Sequence, residues 1–189
     1  IEHGTITIIS KKLKIEITTL RKDIKTDGRH AEVEFTEDWK SDSERRDFTI
    51  NSIYLDNKGK IFDPQMGVTD LKNKNLKFIG DPNKRIEEDY LRIIRFVRFA
   101  LEYNCKLDTN TLKAIQLNLD GIKKISKDRI LNELFKILKS KYLISLENNT
   151  DLKNIFLLIF PEFKYLYRLS KLNLLNKKNN FKIEDLLAI

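Results

Sequence analysis

A single cysteine, Cys105, leaves no partner for a disulfide and too few thiolates for a zinc site. A small buried side chain in a reducing compartment is its simplest reading. Two histidines, His3 and His30, are too few and too isolated to build a metal cluster. The longest apolar run, Ile155–Phe160, is far too short to cross a bilayer, and no signal peptide is visible. Those absences favour a soluble, cytoplasmic protein with no membrane partner. No repeat of fixed period is found. The chain begins at Ile1 rather than methionine, which leaves its true start open. What the chain does have is positive charge: 36 Lys+Arg against 28 Asp+Glu, a net +8 over 189 residues. A polyanion fits that balance, nucleic acid before membrane, because no amphipathic stretch is both basic and rich in membrane-seeking aromatics. The length suffices for one good core or two small ones.

The first eighty residues read as β-rich. Thr5–Ile9 and Leu13–Leu20 alternate apolar and polar, with a Ser-Lys-Lys turn between them, and predict a hairpin with Leu13, Ile15 and Ile17 on one face. Arg21–Asp42 is polar and charged and reads as a long loop carrying Asp27, Arg29 and His30. Glu44–Asn51 has no clear periodicity. From about Asp81 the pattern is helical. Asp81-Pro82 opens one helix, Asp108 or Thr109 caps a second, Ser126 a third, and Thr150 a fourth that Pro161 ends. A lysine- and asparagine-rich stretch, Asn176–Asn180, precedes a last apolar segment, Ile183–Ile189.

Within that helical region Arg92, Arg95 and Arg98 recur every third residue in an otherwise apolar segment, Glu87–Leu101. On one continuous helix Asp89 and the three arginines wind along one side, and the rest is apolar nearly all round, as in a buried helix. A buried row of guanidiniums needs an anion, and phosphate suits the guanidinium fork. The competing reading is an amphipathic helix whose arginine stripe faces water. Two further clusters stand out. In Arg45-Arg46-Asp47 the carboxylate can orient one guanidinium and leave the other for an anion; taken alone, a surface ion pair explains it as well. In Asp63-Pro64-Gln65-Met66-Gly67-Val68-Thr69-Asp70, two aspartates bracket a glycine turn, which looks like architecture.

Taken together and in order, these segments resemble the bacterial class of tRNA nucleotidyltransferases and poly(A) polymerases. The matching pieces are His3-Gly4-Thr5, Glu16-Ile17-Thr18-Thr19-Leu20-Arg21, Asp27-Gly28-Arg29, Arg45-Arg46-Asp47-Phe48-Thr49-Ile50-Asn51, Asp63…Gly67…Asp70-Leu71, Ile79-Gly80-Asp81-Pro82, Glu88-Asp89-x-x-Arg92-x-x-Arg95-x-x-Arg98-Phe99-Ala100 and Ser126-Lys127-Asp128-Arg129-Ile130-x-x-Glu133-Leu134. The likeness runs from residue 3 to about 139 and is specific as an ordered set. It departs at Met66, where the family usually has a second glycine, and at Tyr90, where proline is common.

The resemblance implies untemplated addition of CTP or ATP to an RNA 3′ end, as in tRNA CCA addition or polyadenylation, with two Mg2+ ions. It implies that Asp89 and Arg92 read the base edge, that Arg46, Arg95 and Arg98 contact the nucleotide, and that Arg45, Asp47, Asn51, Asp63, Asp70 and Arg129 support them. It also exposes an absence. The family's glycine-rich segment and metal-binding Asp-x-Asp pair match nothing here, and Glu16 alone would hold metal poorly. A second chain supplying that segment is one expectation; a non-catalytic RNA-binding or assembly subunit is the alternative. The architecture implied is α+β: a partial, polymerase-β-like head sheet over residues 1–80, an all-helical neck over 81–140 and an incomplete helical body over 141–189.

Overall fold

The structure, a computed structural model, describes residues 4–11, 13–27, 30–140, 142–166 and 168. His3, Gly28, Arg29, Asn176–Asn180 and Ile183–Ile189 lie outside them. The fold is mixed α+β, small sheets followed by helices, as the sequence leads one to expect. The first hairpin is β1 (Thr5–Ser10) with β2 (Leu13–Thr18), in antiparallel register Ile6↔Ile17 and Ile8↔Ile15. That register puts Ile6, Ile8, Leu13, Ile15 and Ile17 on one face, and all of them are exposed. Among the described residues no third strand joins this sheet.

Arg21–Asp42, expected to be a loop, is instead a second hairpin and a short helix. The strands are β3 (Arg21–Asp27) and β4 (His30–Phe35), paired from Arg21↔Phe35 to Asp27↔His30 with a register shift between Asp23 and Lys25. Their polar, charged composition was weak evidence for a loop and hid a two-stranded pairing. Helix α1 (Trp39–Glu44) follows, with Asp38 accepting from the Lys40 and Ser41 backbone N–H groups at its start. The unassigned Glu44–Asn51 becomes the end of α1, an extended residue Phe48 bridged to Phe78, and a 3-10 turn at Thr49–Asn51. A small hairpin, β5 (Tyr54–Leu55) with β6 (Ile61–Phe62), leads to α2 (Gly67–Asn73), whose first turn is held by the Asp63 carboxylate accepting from Gly67 N and Val68 N.

The helical half contains α3 (Pro82–Glu88), α4 (Leu91–Glu102), α5 (Thr109–Asn118), a 3-10 turn at Leu119–Lys124, α6 (Lys127–Leu138), α7 (Ser145–Asn148) and α8 (Thr150–Ile159). Asp108 caps α5 as expected; Asn149 rather than Thr150 caps α8. The expected arginine helix over Glu87–Leu101 is two helices. Asp89 has extended backbone (φ −156°), and its carboxylate accepts the Leu91 N–H, so it ends α3 and starts α4. Helix α4 is the central one, packed by α6 and α8, with Ile93, Ile94, Phe96 and Val97 fully buried. Phe48 and Phe78 stack into the same core against Phe96, which ties the β-rich half to α4. Cys105 is buried, and burial pushes its thiol up to about 11, which makes it an inert core residue.

Candidate functional site

Where α1, the Phe48 segment and α4 meet, a cleft of about 590 Å³ is lined by Arg21, Arg45, Arg46, Asp47, Asn51, Asp89, Arg92, Arg95 and Phe99. The arrangement begins with Asp42, on α1 and fully buried. One of its oxygens accepts from Arg45 Nη2 (2.6 Å) and the Arg21 backbone N–H (3.1 Å). The other accepts from Arg46 Nη2 (2.8 Å) and Tyr54 Oη (2.8 Å). Burial alone would raise the Asp42 pKa. The donors, Arg46, the Arg21 N–H, Arg45 and Tyr54, outweigh it and bring the value down to about 2. Burial and Asp42 together push Tyr54 up to about 12. One carboxylate thus aims two guanidiniums at the cleft.

Asp47 anchors the next layer. It is nearly buried, which opposes its charge, yet Arg95, Asn51 and the Phe48 N–H hold its carboxyl below the usual range. Arg95 Nε donates to Asp47 Oδ2 at 2.7 Å and Asn51 to Oδ1 at 2.9 Å. This joins the Arg45-Arg46-Asp47 triplet to α4 across 48 positions of sequence. Arg92 is positioned from below: its Nη1 donates to Glu88 Oε2 and to the Arg85 carbonyl, both at 2.6 Å. Arg85 donates to the same Glu88 oxygen and to the carbonyls of Arg45 and Arg46. Asp89 is held by Arg129, whose Nη2 donates to Oδ2 at 2.7 Å.

The expectation that the arginine row stands free for an anion is therefore corrected. Arg92 is paired with Glu88, Arg95 with Asp47, and Asp89 serves Arg129 rather than a member of the row. Positive charge still exceeds negative, because Asp42 and Glu88 each serve two guanidiniums. A site built this way suits a polyanion with a base edge: forks for phosphate oxygens, and a fixed carboxylate beside a guanidinium for donor and acceptor groups.

Of the residues singled out from sequence, the structure gathers Arg45, Arg46, Asp47, Asn51, Asp89, Arg92 and Arg95 around the cleft, with Arg129 behind Asp89. It does not place Arg98 there. Arg98 lies over the Phe99 ring at 4.1 Å, with Nε 2.8 Å from Glu133 on α6, a close ion-pair contact outside hydrogen-bond alignment. Asp63 and Asp70 are away from the cleft. Asp63 starts α2, and Asp70 binds Thr49 Oγ1 and Lys77. The sequence reading missed Arg21, Asp42, Arg85 and Glu88. Two of these had a local signal: Asp42 stands three and four residues before Arg45 and Arg46, and Glu88 four before Arg92.

A metal fits these residues poorly. Among the described residues no three His, Cys, Asp or Glu side chains form a group that could hold an ion. Glu16 is exposed on β2 and bonded to Lys14 at 2.6 Å, which holds its carboxyl below the usual range.

Comparison with known proteins finds two matching family models and related enzymes. The family described as "Poly A polymerase head domain" matches residues 1–77, and that described as "Probable RNA and SrmB- binding site of polymerase A" matches 104–166. The chain is 52% identical over 140 residues to the human mitochondrial CCA tRNA nucleotidyltransferase 1, covering 72% of this chain and 32% of the relative. It is 39% identical over 140 residues to the CCA-adding enzyme of Enterococcus faecalis, covering 73% and 34%. The CCA-adding enzyme of Bacillus stearothermophilus, solved in complex with CTP, superposes with a TM-score of 0.68 at 32% identity, covering 77% of this chain and 35% of that one. The chain spans about a third of the length of the curated relatives it matches. From the ordered motifs, the α+β architecture and these likenesses, the chain belongs to the class II CCA-adding enzyme and poly(A) polymerase family of nucleotidyltransferases.

Proposed function

We propose that the cleft binds CTP and ATP, and that the chain takes part in adding them to RNA 3′ ends, as in tRNA CCA addition or polyadenylation. The observation that carries the reading is the convergence of Arg46, Asp47, Asn51, Asp89, Arg92 and Arg95 on one cleft. In this proposal Asp89, fixed by Arg129 and the Leu91 N–H, accepts from the exocyclic amine of cytosine or adenine. Arg92, held through Nη1, keeps its remaining N–H groups for a ring nitrogen or carbonyl. UTP and GTP would set a carbonyl against the Asp89 carboxylate. Arg46 and Arg95 take the phosphates. The head, neck and body division at residues 80 and 140 is retained as part of the proposal: the cleft lies where the first two parts meet.

Magnesium enters only as the family's requirement. Bound metal would activate the attacking 3′-hydroxyl and stabilise the leaving pyrophosphate, but the described residues do not form its site, so no step here is assigned to it. We propose that a carboxylate pair comes from a segment or second chain that adds to the open β1–β2 sheet. The same observation favours the alternative of a non-catalytic RNA-binding or assembly subunit. Calorimetry on the purified chain with all four nucleotides tests the base-reading role. A lost hydrogen bond to a charged group costs roughly 1.5–3 kcal/mol, so CTP and ATP should bind about tenfold or more tightly than UTP and GTP. Equal affinities would remove Asp89 and Arg92 from that role.

A further inference from the structure

Beside Asp42, three aromatic rings meet at the surface. Trp39 of α1 packs edge-on to Tyr54 of β5 (centroids 4.9 Å apart), and Phe62 of β6 lies 6.4 Å from Trp39 and 6.3 Å from Tyr54. Aromatic rings at this spacing form a core when covered, yet Trp39 is 41% exposed and Phe62 44%, with Tyr54 half-buried beside them. Exposed lysines border this patch. Lys40 follows Trp39, and Lys58 and Lys60 lie in the turn of the β5–β6 hairpin. The acidic residue in that turn, Asp56, is already taken up by the backbone N–H groups of both lysines. Of the carboxylates next in sequence to these rings, Asp38 is engaged in starting α1 and Asp63 in starting α2, while Glu37 is exposed.

The patch is continuous with the cleft through one carboxylate. Tyr54 donates to Asp42 Oδ2, the oxygen that also holds Arg46. Open rings interleaved with cations are what single-stranded nucleic acid binds, because every base has a π-face and every nucleotide a phosphate. A protein partner would be served by the apolar area but not by the lysines, and the net charge of +8 points the same way.

We propose that Trp39, Tyr54 and Phe62, with Lys40, Lys58 and Lys60, form a stacking surface for single-stranded RNA beside the nucleotide cleft. The proposal deepens the RNA reading above and rests on it. Trp39 is the chain's one tryptophan, so its emission reports on the surface directly. The purified chain is titrated with a short single-stranded RNA ending in two cytidines, following Trp39 emission and the anisotropy of labelled RNA, and CTP binding is measured separately by calorimetry. RNA should quench Trp39. Phe62→Ala should weaken RNA binding about tenfold while leaving CTP affinity unchanged, which also shows that the variant is folded. Phe62→Tyr should restore RNA binding. Arg46→Ala should do the reverse, losing CTP and keeping the quench. Binding of RNA with quench but without CTP binding would remove the nucleotide reading and keep this surface. RNA bound without quench, or as tightly by Phe62→Ala, overturns the surface. So does a dimer in sedimentation that Phe62→Ala dissolves, since the rings would then meet a second copy.

Discussion

Asp42 shows how much a single residue organises here. It is buried, it is the shared acceptor of Arg45, Arg46, Tyr54 and the Arg21 backbone, and it fixes both the root of the β3–β4 hairpin and the forks facing the cleft. Removing one partner of a buried charged network leaves the others uncompensated, so Asp42→Ala should cost about 3–5 kcal/mol, read as a lowered midpoint in urea. Its acid response follows from linkage. The folded pKa, about 2, lies below the ordinary 3.8, so the unfolded chain binds the proton more readily. The stabilisation is complete above the ordinary value and is lost as pH falls from there through about 2. Asp47 and Asp70, also shifted down, act in the same direction. Urea midpoints between pH 6 and pH 2, compared for wild type and Asp42→Asn, check this; the variant should show the shallower fall.

At the scale of elements, one turn carries backbone strain and another depends on close packing. Met66, which precedes α2, adopts left-handed backbone (φ 58°). A side chain there costs roughly 1–2 kcal/mol, offset in part by glycine's entropy in the unfolded chain, so Met66→Gly should raise stability by about 0.5–1 kcal/mol. Thermal unfolding measures it, and a lowered midpoint would contradict the account. Gly121, in the 3-10 turn after α5, is different: the Tyr90 ring occupies the place of any Cβ. The Tyr90 ring lies against this glycine and 5.3 Å from Lys124. Gly121→Ala should destabilise by about 1–3 kcal/mol, and Tyr90→Pro in the same chain should relieve most of that loss. Denaturant titration of both variants decides it.

For the whole molecule, net charge and the carboxylates among the described residues set the expected behaviour. Net charge of +8 and a lysine-bordered surface predict salt-sensitive binding of RNA. Affinity should fall about tenfold between roughly 50 and 200 mM salt, which fluorescence titration at several ionic strengths would show. Among the described residues no helix is long and apolar enough to cross a membrane. The chain alone should not incorporate labelled CTP or ATP into a tRNA lacking its 3′ end, because its described carboxylates form no metal group. Incorporation should appear once a segment bearing the carboxylate pair is fused or added. Robust turnover by the chain alone would show that other carboxylates hold the metal.

Local patterns made much of this legible. The β1–β2 hairpin and its apolar face, the helical second half and the start of α5 followed from alternation and capping, which act over a few positions. Reading failed where a charged composition masked a strand pairing, as at β3–β4, and where a side chain broke a periodic pattern, as at Asp89. Pairings across the chain were decided only by the tertiary structure. Arg95 meets Asp47 across 48 positions, Arg129 meets Asp89 across 40, and Arg98 turns from the row toward Glu133. Any arginine could neutralise any aspartate in sequence; packing α4 against α6 and the Phe48 segment chooses among them, because a buried charge must take whichever partner the core brings within reach.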